Sequence, residues 1–387
     1  MKREEQEQAL QAVLFLPPVV GEGWREKRFS PRRWQFGGKA ILVTVRKGKG
    51  RGERRASLSN MGRRMSTGYW LGVDLGGTKI LSGLFDAEMK LVARSKQPTA
   101  AEGGPTAVIG RLVQGIEALL KEAGAELQQV RGMCIGVPGQ VEIGTTRVRY
   151  APNLDWREVD VRPLLPPHWT WPLIVENDVR MGTYGEFTYG AARGARNVLG
   201  VFVGTGVGGG LIIDGKLYTG FNGNAGEFGN LVIHWRQGTI LEHIAGRKFM
   251  MKRAKNILDD APKRVRKEWK GIDLAYVRSS QLAEFYQRDD PVAVQLVDDA
   301  ARALGAAIGG AVNFLNPEVI VIGGGVTTAL GDSFIERIWE IARRYTLPYA
   351  ADGVRCVMAA LGDDAGIIGS AAFAQAQASL VSTADVA

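Results

Sequence analysis

A strand, glycine turn and strand pattern occurs twice in this chain. Tyr69 to Val73 is apolar, Asp74-Leu75-Gly76-Gly77-Thr78-Lys79 forms a polar glycine turn, and Ile80 to Phe85 alternates like a second strand that ends at Asp86. Val198 to Val203 repeats the opening, Gly204 to Gly210 reads as the turn, and Leu211 to Ile213 lead into Asp214-Gly215. Two local hairpins of one design predict a duplicated fold, with a nucleotide held between the two turns. Glycines let a backbone approach a ligand, and successive N–H groups cradle a phosphate. Asp74, just before its turn, is placed to hold Mg²⁺ directly or through water. Neither turn has the Walker spacing, and neither opens a helix as a dinucleotide fingerprint requires, so those two readings are excluded.

The segments between the hairpins alternate helix and strand. Val108, Ile109, Leu112, Val113, Ile116, Leu119 and Leu120 make a helical stripe that closes near Gly124. Arg131 to Val137 and Leu173 to Glu176 read as buried strands. Val292 to Leu315 has helical spacing, Asn316-Pro317 stops it, and Val319 to Ile322 is a strand running into Gly323-Gly324-Gly325. Those three glycines suit either a flat surface for a ring such as adenine or a tight strand-to-helix turn. Asp178 stands where a strand ends and a helix begins, which suits either an N-cap or a carboxylate projecting into a cleft.

The net charge of +9 first suggests nucleic acid, but it is unevenly placed. Residues 1–68 hold 16 Lys/Arg and 6 Asp/Glu, a net of +10; the remainder holds 49−16=33 basic and 40−6=34 acidic residues, a net of −1. The leader offers one helix, Glu4 to Leu16, and one strand, Ala40 to Val45. Its Lys47-Gly48-Lys49-Gly50-Arg51-Gly52 run buries nothing, so residues 1–68 are expected to be a disordered basic leader. It reads as an anionic-surface tail, as a solvated tail, or as an upstream start joined to a chain that begins near Met61 or Met65. Two cysteines cannot build a disulfide framework, which fits a cytoplasmic location. The apolar run from Ala12 to Val20 is broken by Pro17 and Pro18 and is too short for a bilayer, so no membrane partner is expected.

Seven segments carry a resemblance: Asp74 to Lys79, Gly136 to Gly139, Pro152-Asn153-Leu154, Glu176-Asn177-Asp178, Gly204 to Gly210, Ala225-Gly226-Glu227 and Val321 to Gly325. In that order they resemble the ROK family of bacterial sugar kinases and sugar-responsive repressors, over roughly residues 69–375. The resemblance implies an α/β, two-lobed actin-like/ribonuclease H-like ATPase fold with a central cleft. One lobe is expected over 69–183, joined by a C-terminal helix near 366–380, and the other over 184–365. It implies ATP-dependent phosphorylation of a hexose, glucose to glucose 6-phosphate first, with Mg²⁺. Fructose, mannose, an N-acetylated amino sugar, or polyphosphate as donor stand as alternatives, and a sugar-responsive repressor as a remote one.

By the same resemblance Asp178 is the general base, and Asn153, Asn177, Glu227 and Glu242 are sugar ligands. Asp74 is the Mg²⁺-associated acid. Gly76, Gly77, Thr78, Lys79, Gly204, Thr205 and Gly206 line the phosphate turns, while Gly323, Gly324 and Gly325 face adenosine. Lys79 is free to point at phosphate or at solvent. The chain departs from many members where a His and three cysteines bind zinc. Asn230 stands at the His, no Cys lies between Cys134 and Cys356, and only His234 and His243 remain, so no structural zinc is expected. No nucleic-acid partner is expected, and a homodimer follows by analogy with the family.

Overall fold

The structure, a computed structural model, describes residues 68–384. The basic leader, with its proposed helix, strand and disorder, lies outside the described residues apart from Gly68.

Two five-stranded sheets organise the chain. The first is built from β1 (Tyr69–Leu75), β2 (Lys79–Phe85), β3 (Leu91–Pro98), β4 (Val130–Val137) and β8 (Leu173–Asn177), in the order β3-β2-β1-β4-β8. β1, β2 and β3 pair antiparallel, and β1, β4 and β8 run parallel. The second contains β9 (Val198–Val203), β10 (Val207–Ile213), β11 (Lys216–Leu217), β14 (Val319–Gly323) and β15 (Arg355–Met358), in the order β11-β10-β9-β14-β15. It has the same plan, an antiparallel meander followed by two parallel strands. The duplication expected from the hairpins is therefore present in topology as well as in sequence.

Parallel neighbours need crossovers. α1 (Gly104–Ala123) links the first meander to β4. Pro105 starts it, Gly124 ends it at φ 60°, and the stripe from Val108 to Leu120 is buried against the sheet. A three-stranded insert of β5 (Gln140–Val141), β6 (Arg147–Ala151) and β7 (Trp156–Asp160) separates β4 from β8. In the second half, the hairpin of β12 (Val232–His234) and β13 (Thr239–Ile240) is followed by α3 (Leu241–Ala245), α4 (Arg247–Asp260), α5 (Lys263–Glu268), α6 (Ser279–Gln287) and α7 (Pro291–Leu315). Asp290 caps α7 by accepting from Val292 and Ala293 N–H at 3.0 Å each, and Asn316 ends it at φ 45°. α8 (Gly325–Leu330) and α9 (Asp332–Arg343) then connect β14 to β15.

Two helices lie where the halves meet. α2 (Asp178–Thr188) follows β8 and packs on β4 as well as on β9 and β10. α10 (Ala365–Ala384) returns from the second sheet to pack on β1, β4 and α2. The approach is close because the contact positions are glycine: a Cβ on Gly369 would strike the Met181 carbonyl, and one on Gly72 would strike that of Ile367. Glu186, fully buried on α2, fixes the crossing. Its carboxylate accepts from Ala191 N–H at 2.8 Å, Ala360 N–H at 3.0 Å and Leu361 N–H at 2.8 Å, tying α2 to the chain that leaves β15.

The structure corrects one local reading. The second turn ends at Gly206, because Gly208, Gly209 and Gly210 are β10 residues paired with Phe202, Val201 and Gly200. They are glycine for packing. A Cβ on Gly208 would lie 2.5 Å from Val179, and one on Gly210 would strike Thr183, both on α2. Among the described residues no helix is long and apolar enough to cross a membrane.

Candidate active site

The parallel strands of both sheets end on loops that carry the polar residues. In open α/β sheets this edge is where ligands bind. β1 carries Asp74 next to its last residue, β4 ends with Gly136-Val137, and β8 ends with Asn177 immediately before Asp178. β9 ends at Gly204 to Gly206, and β14 at Gly323 to Gly325.

Asn177, not Asp178, is the N-cap of α2. Its Oδ1 accepts from Arg180 N–H at 3.0 Å, and its Nδ2 donates to the Gly139 carbonyl at 3.1 Å. Capping by the neighbour leaves the Asp178 carboxylate free of that role; its Oδ1 accepts from Val179 N–H at 2.8 Å. Burial pushes the Asp178 carboxyl up to about 6; backbone N–H donors oppose the rise and the charge of Glu227 adds to it. Burial, then the charge of Asp178, push Asp74 up to about 7, while Lys79 pulls it down and Asp363 adds to the rise. Two half-buried carboxylates that repel each other beside the first glycine turn suit a divalent cation. Among the described residues no three His, Cys, Asp or Glu side chains gather as a metal cluster. Asp74 therefore fits Mg²⁺ as one ligand in a set completed by phosphate and water.

The first glycine turn is closed by Gly76 N–H to the Lys79 carbonyl at 2.9 Å, and is braced by the Thr99 hydroxyl on the Gly76 carbonyl at 2.6 Å. Thr78 is exposed on it. Lys79 Nζ makes an exposed pair with Asp363 Oδ2 at 2.6 Å, just before α10. Asn153 is exposed and packs against the turn, since a Cβ on Gly77 would lie 3.1 Å from the Asn153 Cβ.

The second turn is held from below. Glu242, on α3, accepts from Val207 N–H at 2.9 Å, and its carboxylate fills the space a Cβ on Gly206 would need. That contact places one Glu242 oxygen on the second glycine turn. Thr205 is exposed at the tip, where its hydroxyl accepts from Arg247 Nη2 at 3.2 Å. At β14, Gly323 and Gly324 serve the turn, with Gly324 at φ 92° and a Cβ on Gly323 only 2.8 Å from the Phe202 ring. Gly325 is the open one, where an added Cβ would come no nearer than 3.4 Å, to Ser279 Oγ.

Glu227 begins a short 3₁₀ turn and accepts from Asn230 Nδ2 at 3.3 Å. The His243 ring lies against Phe249, with centroids 4.4 Å apart. Gly209 supports the Glu227 segment, because a Cβ there would lie 2.5 Å from the Gly226 carbonyl and 2.6 Å from the Phe228 Cβ. Gly209→Ala is expected to cost about 1–3 kcal/mol by overpacking and to push Glu227 away from Asp178. Denaturant unfolding together with sugar titration checks both effects.

Several functional candidates were not legible in the sequence. Asp363 and Arg247 act on Lys79 and Thr205 from distant parts of the chain. Arg180 shares its helix with Asp178 but faces across to the other half. Only the acidic pair Asp363-Asp364 before an apolar helix offered a local signal.

Comparison with known proteins gives four relevant findings. Residues 70–377 match the ROK family. The chain is similar to a glucokinase of Halalkalibacterium halodurans, 32% identical over 328 residues that cover 79% of this chain and 94% of that protein. It is also similar to the xylose repressor of Caldicellulosiruptor bescii, 25% identical over 329 residues that cover 83% and 81%. Its structure is similar to that of a ROK family glucokinase from Streptomyces griseus in complex with glucose and AMPPNP. That likeness has a TM-score of 0.66 and 30% identity, and covers 80% of this chain and 100% of that one. The fold is thus the α/β actin-like ATPase fold, with mixed sheets and flanking helices.

Proposed function

The chain belongs to the ROK family, and from that premise we propose that it is an ATP-dependent hexose kinase with glucose as its first acceptor. The observation that carries the reading is Asp178: a half-buried carboxylate relieved of capping by Asn177, its pKa raised to about 6. The similar glucokinase from Streptomyces griseus, in complex with glucose and AMPPNP, supports glucose and an adenine nucleotide.

On this reading the two sheets mark two lobes, about 69–183 with α10 and about 184–365, and the cleft between their strand ends holds the substrates. Asn153, Asn177, Glu227 and Glu242 orient the sugar through its hydroxyls. Asp178 takes the proton from the attacking hydroxyl, a role that suits a base titrating near 6. Backbone N–H groups of the two turns, with Thr78 and Thr205, hold the phosphates, and Gly325 offers the adenine surface. Asp74 would hold Mg²⁺, which supplies charge neutralisation on the phosphoryl group. Lys79, tied to Asp363, steadies the first turn rather than reaching across it.

The similarity to a xylose repressor keeps a sensing role in view. The carboxylates Asp74 and Asp178 beside the two glycine turns favour the kinase reading over a purely sensing one. The kinase reading is tested by the acid limb of the pH profile. With Asp178 raised to about 6, kcat/KM for the sugar is expected to fall tenfold per pH unit below that value. A flat profile down to pH 5 would contradict Asp178 as the base.

A further inference from the structure

Arg180 is almost fully buried, at 3% exposure, and takes no part in the chemistry above. Its Nη1 donates to Glu176 Oε1 at 2.9 Å, and its Nη2 donates to the carbonyls of Gly223 and Ala225, the second at 3.0 Å. Glu176 Oε1 also accepts Asn177 N–H at 2.7 Å, so the acceptor end of the network is built into the strand that leads to Asp178.

The two carbonyls belong to a segment with little stiffness of its own. Gly220, Gly223 and Gly226 all have positive φ, at 76°, 83° and 84°. Glycines in such positions leave a loop that loses much entropy when it is ordered. The planar guanidinium can serve Glu176 on one side and two loop carbonyls on another at once, which a single ammonium cannot do in one geometry. A buried cation is tolerated only when its bonds are complete, and here each named bond fixes the loop against α2.

We propose that Arg180 is a positioning residue that sets the Gly223–Glu227 segment against Asp178 and thereby tunes affinity for the acceptor sugar, without touching the sugar itself. The proposal rests on the reading of Asp178 and Glu227 as sugar-side groups. The test compares wild type with Arg180→Lys in steady-state kinetics with glucose and ATP·Mg²⁺, and in backbone hydrogen exchange of the intact chain. The KM for sugar should rise about tenfold, with kcat and the KM for ATP within about twofold, since only ground-state placement of a sugar ligand is lost. Amides of residues 219–227 should exchange faster while α2 stays protected.

Unchanged exchange in that segment, or equal rises in both KM values, would overturn the proposal. Should Arg180→Lys fail to fold, Glu176→Gln combined with Arg180→Met removes both charges together and is read in the same two ways. A wild type that phosphorylates no sugar would sink the kinase reading, and the exchange measurement would still decide Arg180's part.

Discussion

Asp178→Asn is expected to lower phosphoryl transfer by about 10²–10⁴-fold, the usual loss on removing a general base, while making the folded protein more stable at pH 8. The stabilisation follows from the sign of the pKa shift. The carboxyl ordinarily titrates at 3.8 and is raised here to about 6, so folding disfavours its charged form. The associated stability is fully present below pH about 4 and is lost as pH rises through about 6. At about 1.4 kcal/mol per pH unit, the charged form costs roughly 3 kcal/mol at pH 8. Asn keeps an acceptor for Val179 N–H and carries no charge, so it recovers much of that. Melting curves at pH 5 and pH 8 should show the variant gaining on wild type chiefly at pH 8, and sugar binding should persist. A variant that turns over at the parent rate, or that is destabilised equally at both pH values, would contradict this assignment.

Glu186→Ala should be the most damaging single substitution for stability. The carboxylate is completely buried, and three backbone N–H groups, of Ala191, Ala360 and Leu361, depend on it. Leaving those donors without an acceptor, together with the cavity, is expected to cost about 3–5 kcal/mol. Glu186→Gln retains one carbonyl oxygen, so its loss should be smaller, about 1–3 kcal/mol. The effect should extend to activity, because the chain that Glu186 holds carries Asp363 and thus steadies Lys79. Urea unfolding gives the answer: a Glu186→Ala protein within about 0.5 kcal/mol of wild type would mean that the three amides find other partners.

What the sequence disclosed was local in origin. The first hairpin, the stripe from Val108 to Leu120 and the stop at Asn316-Pro317 all follow from neighbouring residues, and each stands where its pattern puts it. The duplicated topology was readable because both hairpins carry the same turn. Gly208 to Gly210 were read as turn residues because their reasons for being glycine, the face of α2 for Gly208 and Gly210 and the Gly226–Phe228 segment for Gly209, lie elsewhere in the chain. Lys79 gave no sign of its partner, since Asp363 is 284 positions away. Asp178 suited either an N-cap or a carboxylate projecting into a cleft; the side-chain geometry makes Asn177 the cap instead. Arg180 is the strongest instance. In sequence it is one more charge on a helix, and in the fold it is buried among three acceptors contributed by two segments.

The glucose assignment and the choice of donor stand or fall together in one experiment. Initial rates of the full chain are measured across glucose, fructose, mannose and N-acetylated amino sugars, each with ATP·Mg²⁺ and with polyphosphate. The account predicts transfer from ATP, fastest to glucose by kcat/KM, and lost in Asp178→Asn. A folded protein that phosphorylates none of these sugars with either donor, or that does so undiminished in Asp178→Asn, would contradict it.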